Sequence, residues 1–281
     1  QGMKFSPRDL ILIGGRRGAG KSLTCVNIAN NVYEQGRSSI YFTIEMDSRS
    51  ILQRMCALGA RIPIGRIANR NLTTVEWNRV AEWWAGRFDG GVDLLPEFYD
   101  TREFDSFHKP LHKDRQLDVV YDPVLSLSRI RQELESKVSQ TDVGVIIVDY
   151  LNQVKRSNVP SKSGQYDWTE QIEVSKTLKS IAQEYSIPVF APYQTDNSGE
   201  ARFAKGILDA ADAAFTMETW SPEDNAITFN CTKMRSAKME GFTSVMDWET
   251  LKIGPQSTMN PKDREELKDS LSTGENIHDA I

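Results

Sequence analysis

A glycine-rich segment near the start of the chain carries the clearest chemistry. In Leu10-Ile-Leu-Ile-Gly-Gly-Arg-Arg-Gly-Ala-Gly-Lys-Ser22, a glycine, four residues and then Gly-Lys-Ser follow an apolar run. Glycines let successive backbone N–H groups face a polyphosphate at the positive end of the following helix. The lysine can reach the β- and γ-phosphates, and the serine hydroxyl can bind Mg²⁺. The predicted nucleotide site comprises Gly15, Arg16, Arg17, Gly18, Ala19, Gly20, Lys21 and Ser22.

Three further polar residues each end an apolar, strand-like run. Asp149 follows Ile146-Ile-Val, where a phosphate-loop protein places its second Mg²⁺-holding carboxylate. Glu45 follows Phe42-Thr-Ile and could orient and deprotonate the attacking water. Gln194 follows Val189-Phe-Ala-Pro-Tyr and could sense the γ-phosphate. Ligands bind outside the carboxyl ends of parallel strands, so the three side chains are expected to converge. The simpler alternatives are a turn-capping Asp149 and a helix N-terminal Glu45.

The elements that must position these residues alternate between two periodicities. Short β-rich runs at 10–13, 40–44, 143–148 and 189–192 are separated by helix-like stretches. This alternation predicts an α/β fold with a largely parallel sheet and helices on both faces. The run 143–148 has no polar face, so we expect a central strand. From residue 213 onward, runs at 213–217 and 226–231 with short polar turns predict an antiparallel extension at the sheet edge.

Length and patterning favour one large domain. Of 281 residues, we assign 1–253 to the α/β domain and 254–281, which is polar, to a C-terminal tail. The stretch 86–116 is predicted to be an insertion loop, and 155–166 and 195–205 are predicted to be functional loops.

Overall composition gives weaker guidance. Lys and Arg number 34 against 39 Asp and Glu, a net charge of −5, which alone argues mildly against a nucleic-acid binder. No apolar run approaches the roughly 20 residues of a transmembrane helix, and we expect no membrane association. Three widely spaced cysteines without a CxxC pair indicate reduced thiols. We therefore expect a cytoplasmic location.

The four phosphate-site pieces, in this order, resemble the RecA-like motor domain of DnaB-family replicative helicases. The resemblance runs from about residue 10 to residue 248. Ile44-Glu-Met46, Asp149-Tyr-Leu-Asn-Gln153 and Thr232-Lys-Met-Arg235 are each similar to a segment of that family. So is the helix-like run Glu173-Val-Ser-Lys-Thr-Leu-Lys-Ser-Ile-Ala182 with the strand that follows it.

The resemblance implies a role for each of these residues. Lys21 would bind phosphate, Ser22 and Asp149 would bind Mg²⁺, Glu45 would be the general base and Gln194 the γ-phosphate sensor. Lys233 and Arg235 would act in trans on the nucleotide of a neighbouring subunit, as an arginine finger does. Without the resemblance, an exposed β-hairpin face is the better interpretation of Lys233-x-Arg235.

The resemblance also implies cofactors and partners. These are ATP with Mg²⁺, single-stranded DNA, a homo-hexameric ring, a primase or loader protein, and the cytoplasm of a bacterium or phage-infected host. A ring concentrates DNA contact in a few loops, so overall net charge is a poor test of DNA binding. Basic loops give sequence-independent affinity, although such loops are common. The candidate DNA contacts are Lys155, Arg156, Lys162, Asn197, Arg202 and Lys205.

Some features depart from the family pattern. Tyr193 stands where a small hydroxyl residue is usual, 198–209 is short for the second loop, and we expect the usual N-terminal domain to be missing. These features indicate a divergent member, with a phage-encoded helicase or a trimmed chain as explanations. Two other functions stay open: a RecA-like recombination or annealing ATPase that does not unwind DNA, and a nucleotide-switch scaffold.

Overall fold

The computed structural model describes residues 5–89, 110–156, 168–195, 204–219 and 225–256. Within these ranges nine strands form one sheet in the order β3-β2-β4-β5-β1-β6-β7-β8-β9. The first six strands pair in parallel, and β7, β8 and β9 are added antiparallel, as the sequence predicts. The strands are β1 (Leu10–Gly15), β2 (Ser38–Thr43), β3 (Leu117–Tyr121), β4 (Val143–Asp149), β5 (Val189–Gln194), β6 (Ala213–Glu218), β7 (Ala226–Met234), β8 (Phe242–Asp247) and β9 (Lys252–Gln256).

Helices fill most of the crossovers between the parallel strands. Three of them begin at side chains that accept a hydrogen bond from the first turn: Asp47 before α2, Thr73 before α4 and Ser126 before α5. In the described residues the helices are α1 (Lys21–Glu34), α2 (Ser48–Ala60), α3 (Ile64–Ala68), α4 (Thr74–Ala85), α5 (Leu127–Val138), α6 (Trp168–Tyr185) and α7 (Ala204–Ala210).

Two apolar cores lie on opposite faces of the sheet. Along β1, Leu10 and Leu12 point into one core while Ile11 and Ile13 point into the other, the two-residue alternation of a strand. The first core packs under α5 and α6, and the second packs under α1, α2 and α4. Strand β4 is buried along its whole length and lies inside the sheet, so the prediction of a central strand is confirmed.

Some elements differ from the sequence prediction. Strand β3 was not predicted, because its run Leu117-Asp-Val-Val-Tyr121 is short and only partly buried at the sheet edge. It begins directly after the predicted loop 86–116, whose residues 90–109 lie outside the described ranges. Helix α7 begins at Ala204, so its first two residues fall within the predicted second loop. Strand β9 crosses the predicted boundary at residue 253, and the division into domain and tail stays a prediction.

Across the described parts of the chain, no helix is long and apolar enough to cross a membrane.

Candidate nucleotide-binding site

Strands β1, β2, β4 and β5 end beside a pocket of about 580 Å³. The register places Gly15 beside Gln194, and Thr43 beside Asp149. The pocket is lined by Lys21, Ser22, Glu45, Asp149, Gln194 and Arg54, among others. The structure therefore brings together the phosphate loop and the three strand-end residues that the sequence analysis selected.

The phosphate loop needs glycine for conformational reasons. Gly18 and Gly20 have φ values of 82° and 87°, the left-handed region that side chains disfavour. The Lys21 ammonium donates to the carbonyls of Gly15 at 2.8 Å and Arg16 at 2.7 Å, so it lies folded over the loop. Helix α1 begins at Lys21 without a side-chain cap and without an acidic residue in its first turn. Its first N–H groups point to the place where an anion binds a helix terminus.

Asp149 is the most enclosed carboxylate of the pocket, with 5% of its surface exposed. The buried Tyr41 hydroxyl donates to its Oδ2 atom at 2.6 Å, and Ser22 forms a second side-chain hydrogen bond. Burial raises the pKa of Asp149, while the bonds from Tyr41 and Ser22 and the charges of Arg54 and Lys21 act in the opposite direction. A cation placed here would stabilise the ionised carboxylate.

Two cationic side chains line the pocket near this carboxylate. Burial lowers the pKa of Lys21, and the nearby carboxylates of Asp149 and Glu45 only partly oppose that effect. Burial also lowers the pKa of Arg54, which is close to Tyr41 and Asp149. Buried cations that lack full compensation favour an anionic ligand. The pocket thus combines anion-binding groups with one buried carboxylate.

Glu45 and Gln194 lie at the rim of the pocket. The Glu45 carboxylate is exposed, as a group that handles a water molecule must be. The Gln194 backbone N–H donates to the Asn152 side chain at 2.9 Å, which ties the end of β5 to the turn after β4. Beneath the rim, the buried Tyr193 ring lies directly on Gly14: a Cβ atom there would come 2.5 Å from the ring. Gly14 is therefore required by the unusual Tyr193.

Lys233 and Arg235 do not reach this pocket. Strand β7 runs antiparallel to β6, and Lys233 lies opposite Ala214 near the beginning of β6. The two cations therefore lie at the amino edge of the parallel strands, while the pocket lies at the carboxyl edge. A six-residue strand is about 17 Å long. These side chains are therefore separated from their own pocket by about the length of a strand.

The candidate DNA contacts are only partly described. Lys155 and Arg156 are exposed and follow the turn after β4, at the same edge as the pocket. Their backbones are anchored: Lys155 N–H donates to the Leu125 carbonyl, and Arg156 N–H donates to the Glu170 carboxylate. Lys162, Asn197 and Arg202 lie outside the described residues, and for Lys205 only the backbone, in α7, is described.

Sequence reasoning missed two members of the site. Tyr41 contacts Asp149 across 108 positions of the chain, and Arg54 reaches the pocket from the second turn of α2. The one available signal was a hydroxyl-bearing ring inside β2, a strand that is buried throughout. No set of three or more His, Cys, Asp or Glu side chains in the described ranges is clustered to hold a metal ion.

The parallel sheet, phosphate loop and carboxyl-edge pocket define a phosphate-loop nucleotide-binding fold of the RecA-like class. The profile of the DnaB-like helicase C terminal domain matches residues 2–206. The chain therefore belongs to the DnaB-like helicase C-terminal domain family. The match ends before Lys233 and Arg235, so it does not include the trans-acting pair that the sequence analysis expects.

Individual relatives agree with the family. The replicative DNA helicase DnaC of Bacillus subtilis is 26% identical over 199 residues, and DnaB of Geobacillus stearothermophilus is 25% identical over 199 residues. Each alignment covers 70% of this chain but 38% of the relative, so the chain spans well under half of their length.

Two solved structures share the fold. One is a separate ATPase domain, with a TM-score of 0.67 at 16% identity, covering 89% of this chain and 85% of that one. The other is a DnaB-like replicative helicase, described with its interactions with primase, with a TM-score of 0.68 at 15% identity, covering 89% and 57%.

Proposed function

We propose that this chain is the ATP-driven motor of a ring-forming replicative helicase that moves along single-stranded DNA and separates duplex strands. The observation that carries the proposal is the pair of sites on one sheet: a nucleotide pocket at the carboxyl edge and two cations, Lys233 and Arg235, at the amino edge. Family membership supports the same activity.

In the pocket, each side chain has a task that fits its surroundings. The uncapped start of α1 and the Lys21 ammonium would bind the β- and γ-phosphates. Glu45 would accept a proton from the attacking water, and Gln194 would contact the γ-phosphate. The oxygen ligands that Mg²⁺ prefers are available from the hydroxyl of Ser22 and the buried carboxylate of Asp149. Bound there with ATP, Mg²⁺ would neutralise phosphate charge.

The separation of the two edges favours action between subunits. Lys233 and Arg235 cannot serve their own pocket, but in a head-to-tail assembly the amino edge of one copy faces the carboxyl edge of the next. Head-to-tail contacts close into a ring when the rotation permits. An arginine delivered in this way stabilises charge on the transferred phosphoryl group. The family resemblance implies six subunits, so we propose that this ring is a homo-hexamer.

DNA would pass along loops at the pocket edge. Lys155 and Arg156 are exposed on an anchored backbone close to the pocket, which suits phosphate contact. We propose the same role for Lys162, Asn197, Arg202 and Lys205. Because one solved neighbour is described with its primase interactions, a primase is also a proposed partner, along with a loader protein.

The decisive experiment measures unwinding of a forked duplex with ATP and Mg²⁺, together with ATP hydrolysis with and without single-stranded DNA. Lys21→Ala should abolish both activities, and Lys113→Ala, at an exposed position outside the pocket, is the matched control. If single-stranded DNA did not change the rate of ATP hydrolysis by the assembled protein, that result would contradict the motor proposal. Open filaments by microscopy with no unwinding would instead favour a recombination or annealing ATPase.

A further inference from the structure

Asp212, between α7 and β6, joins several elements at the amino edge of the sheet. Its side chain is 13% exposed. Its Oδ2 atom accepts hydrogen bonds from the Leu10 backbone at 2.8 Å and from the Lys179 ammonium at 2.6 Å. Its Oδ1 atom accepts from the Arg235 guanidinium at 3.3 Å, and its carbonyl accepts from the Arg235 backbone at 2.9 Å. The carboxylate is thus fixed by β1 and α6 and in turn contacts Arg235.

The end of α7 completes the arrangement. The Lys233 ammonium donates to the carbonyls of Leu208 at 2.5 Å and Asp209 at 3.0 Å, and the Arg235 guanidinium donates to the Asp209 carbonyl at 2.8 Å. Carbonyls at a helix C-terminus carry partial negative charge and favour cations. Both head groups are therefore held by α7, and Arg235 is held from two directions.

Helix α7 is itself a firm support. The buried Ser175 hydroxyl of α6 donates to the Ile207 carbonyl at 2.8 Å. Gly206 lies so close to Ile172 of α6 that a Cβ atom would come 2.3 Å from its side chain. These contacts lock α7 against α6, the long helix that also carries Lys179. The groups that hold Lys233 and Arg235 thus lie on a helix that is packed closely against α6.

We infer that Asp212 and the C-terminal carbonyls of α7 are positioning groups, which pre-organise Lys233 and Arg235 for a neighbouring subunit's nucleotide. The inference rests on the proposed trans action of these two residues. Long side chains lose considerable rotamer freedom when they bind. Holding them in place beforehand removes that cost from the assembled state, and an error of about 1 Å in such a group can lower a rate about a hundredfold. Both head groups keep N–H donors beyond those used here, because Lys has three and Arg has five.

The test compares Asp212→Asn with Lys179→Met in the assembled protein. Both variants lose the ion pair between α6 and Asp212, but only Asp212→Asn weakens the contact to Arg235, while the asparagine oxygen can still accept from Leu10. We expect Asp212→Asn to lower kcat for DNA-stimulated ATP hydrolysis at least about tenfold with KM for ATP unchanged. Lys179→Met should lower kcat less than Asp212→Asn does, because the Leu10 backbone still holds Asp212 against Arg235, and melting temperatures report the stability cost of each.

A double-mutant cycle separates positioning from a merely structural role. If Asp212 acts through Arg235, adding Asp212→Asn to Arg235→Ala should lower kcat no further. An additive loss, an unchanged kcat in Asp212→Asn, or a raised kcat, as expected for an inhibitory latch, would each overturn the inference. Should Asp212→Asn fail to fold, Asp212→Glu keeps the charge, moves the carboxylate by one methylene group, and should still lower kcat. A normal kcat in Arg235→Ala would refute the proposed trans action itself, whatever Asp212 does.

Discussion

The two edges of the sheet differ in the partners that they supply to their charged side chains. At the carboxyl edge, burial raises the pKa of Asp149 and lowers those of Lys21 and Arg54, so these groups are enclosed without full compensation. At the amino edge, Arg235 is paired with an acid and with the end of a helix. The first region resembles a site that awaits charged ligands. The second region resembles a surface on which Arg235 is already held in place for contact with a binding partner.

The charged groups at the two edges therefore affect the stability of the folded state differently. Burial of charged groups in the pocket lowers the stability of the folded state, and a bound nucleotide and cation would offset that cost. At the amino edge the head groups of Lys233 and Arg235 have hydrogen-bond acceptors within the chain, although burial and the neighbouring Arg235 lower the pKa of Lys233. Variants of the carboxyl edge should therefore be tested for their affinity for nucleotide and cation, and variants of the amino edge for the effect of side-chain position on the catalytic rate.

The largest effect should come from breaking the amino edge alone. Arg235→Ala leaves the pocket of its own chain intact, so ATP should bind normally while kcat falls about 10³-fold, as expected for loss of an arginine finger. Nucleotide titration and steady-state hydrolysis measure the two quantities separately. Arg37→Ala, which removes a partly exposed arginine paired with Asp142 at another place on the surface, is the control. Weakened ATP binding by the unassembled Arg235→Ala chain would contradict the separation of the edges.

A backbone contact beneath the pocket gives the next effect. Gly14→Ala would place a methyl group 2.5 Å from the Tyr193 ring, and overpacking of this kind costs about 1–3 kcal/mol in free energy of unfolding. Chemical denaturation measures the loss. The double variant Gly14→Ala/Tyr193→Ser removes the ring, so it should show a coupling energy that offsets the clash. Strictly additive losses would mean that the two residues do not oppose each other.

Removing one hydroxyl should sharpen the contrast at the carboxyl edge. Tyr41→Phe leaves Asp149 without its 2.6 Å donor, and loss of such a supporting bond typically weakens metal binding or activity at least about tenfold. We expect ATP hydrolysis to need a correspondingly higher Mg²⁺ concentration. Tyr33→Phe is matched, because the buried Tyr33 hydroxyl has no hydrogen-bond partner among the described residues. Equal Mg²⁺ dependence of the two variants would exclude a supporting role for Tyr41.

The smallest effect is a gain in stability. The pKa of Asp149 is raised in the folded state, so its ionised form opposes folding above that pKa, and the penalty falls as pH falls and the group protonates. Asp149→Asn removes the charge and should raise the melting temperature at neutral pH without ligands, while hydrolysis is lost. Glu45→Gln, at an exposed position of the same edge, should leave the melting temperature unchanged. A lower melting temperature in Asp149→Asn would contradict the contrast.

The sequence allowed prediction of whatever is local along the chain. The phosphate loop has a fixed spacing, and Glu45, Asp149 and Gln194 each end a visible apolar run, so the parallel topology brings them together. Tyr41 and Asp212 were missed because their partners are distant in sequence: 108 positions for Tyr41 and Asp149, and 202 for Leu10 and Asp212. Strand β3 escaped because a short, partly buried edge strand has little apolar pattern.

The unfinished start of α1 has a consequence for how the domain behaves in time. Asp47, Thr73 and Ser126 complete the starts of three other helices from within the chain, but Gly20 supplies no side chain to α1. The phosphates of the nucleotide would act as the missing cap. The first turn of α1 would then be firm while ATP is held and would loosen each time the phosphates depart. Amide hydrogen exchange in that turn should therefore be slower with bound ATP than after the phosphates have left.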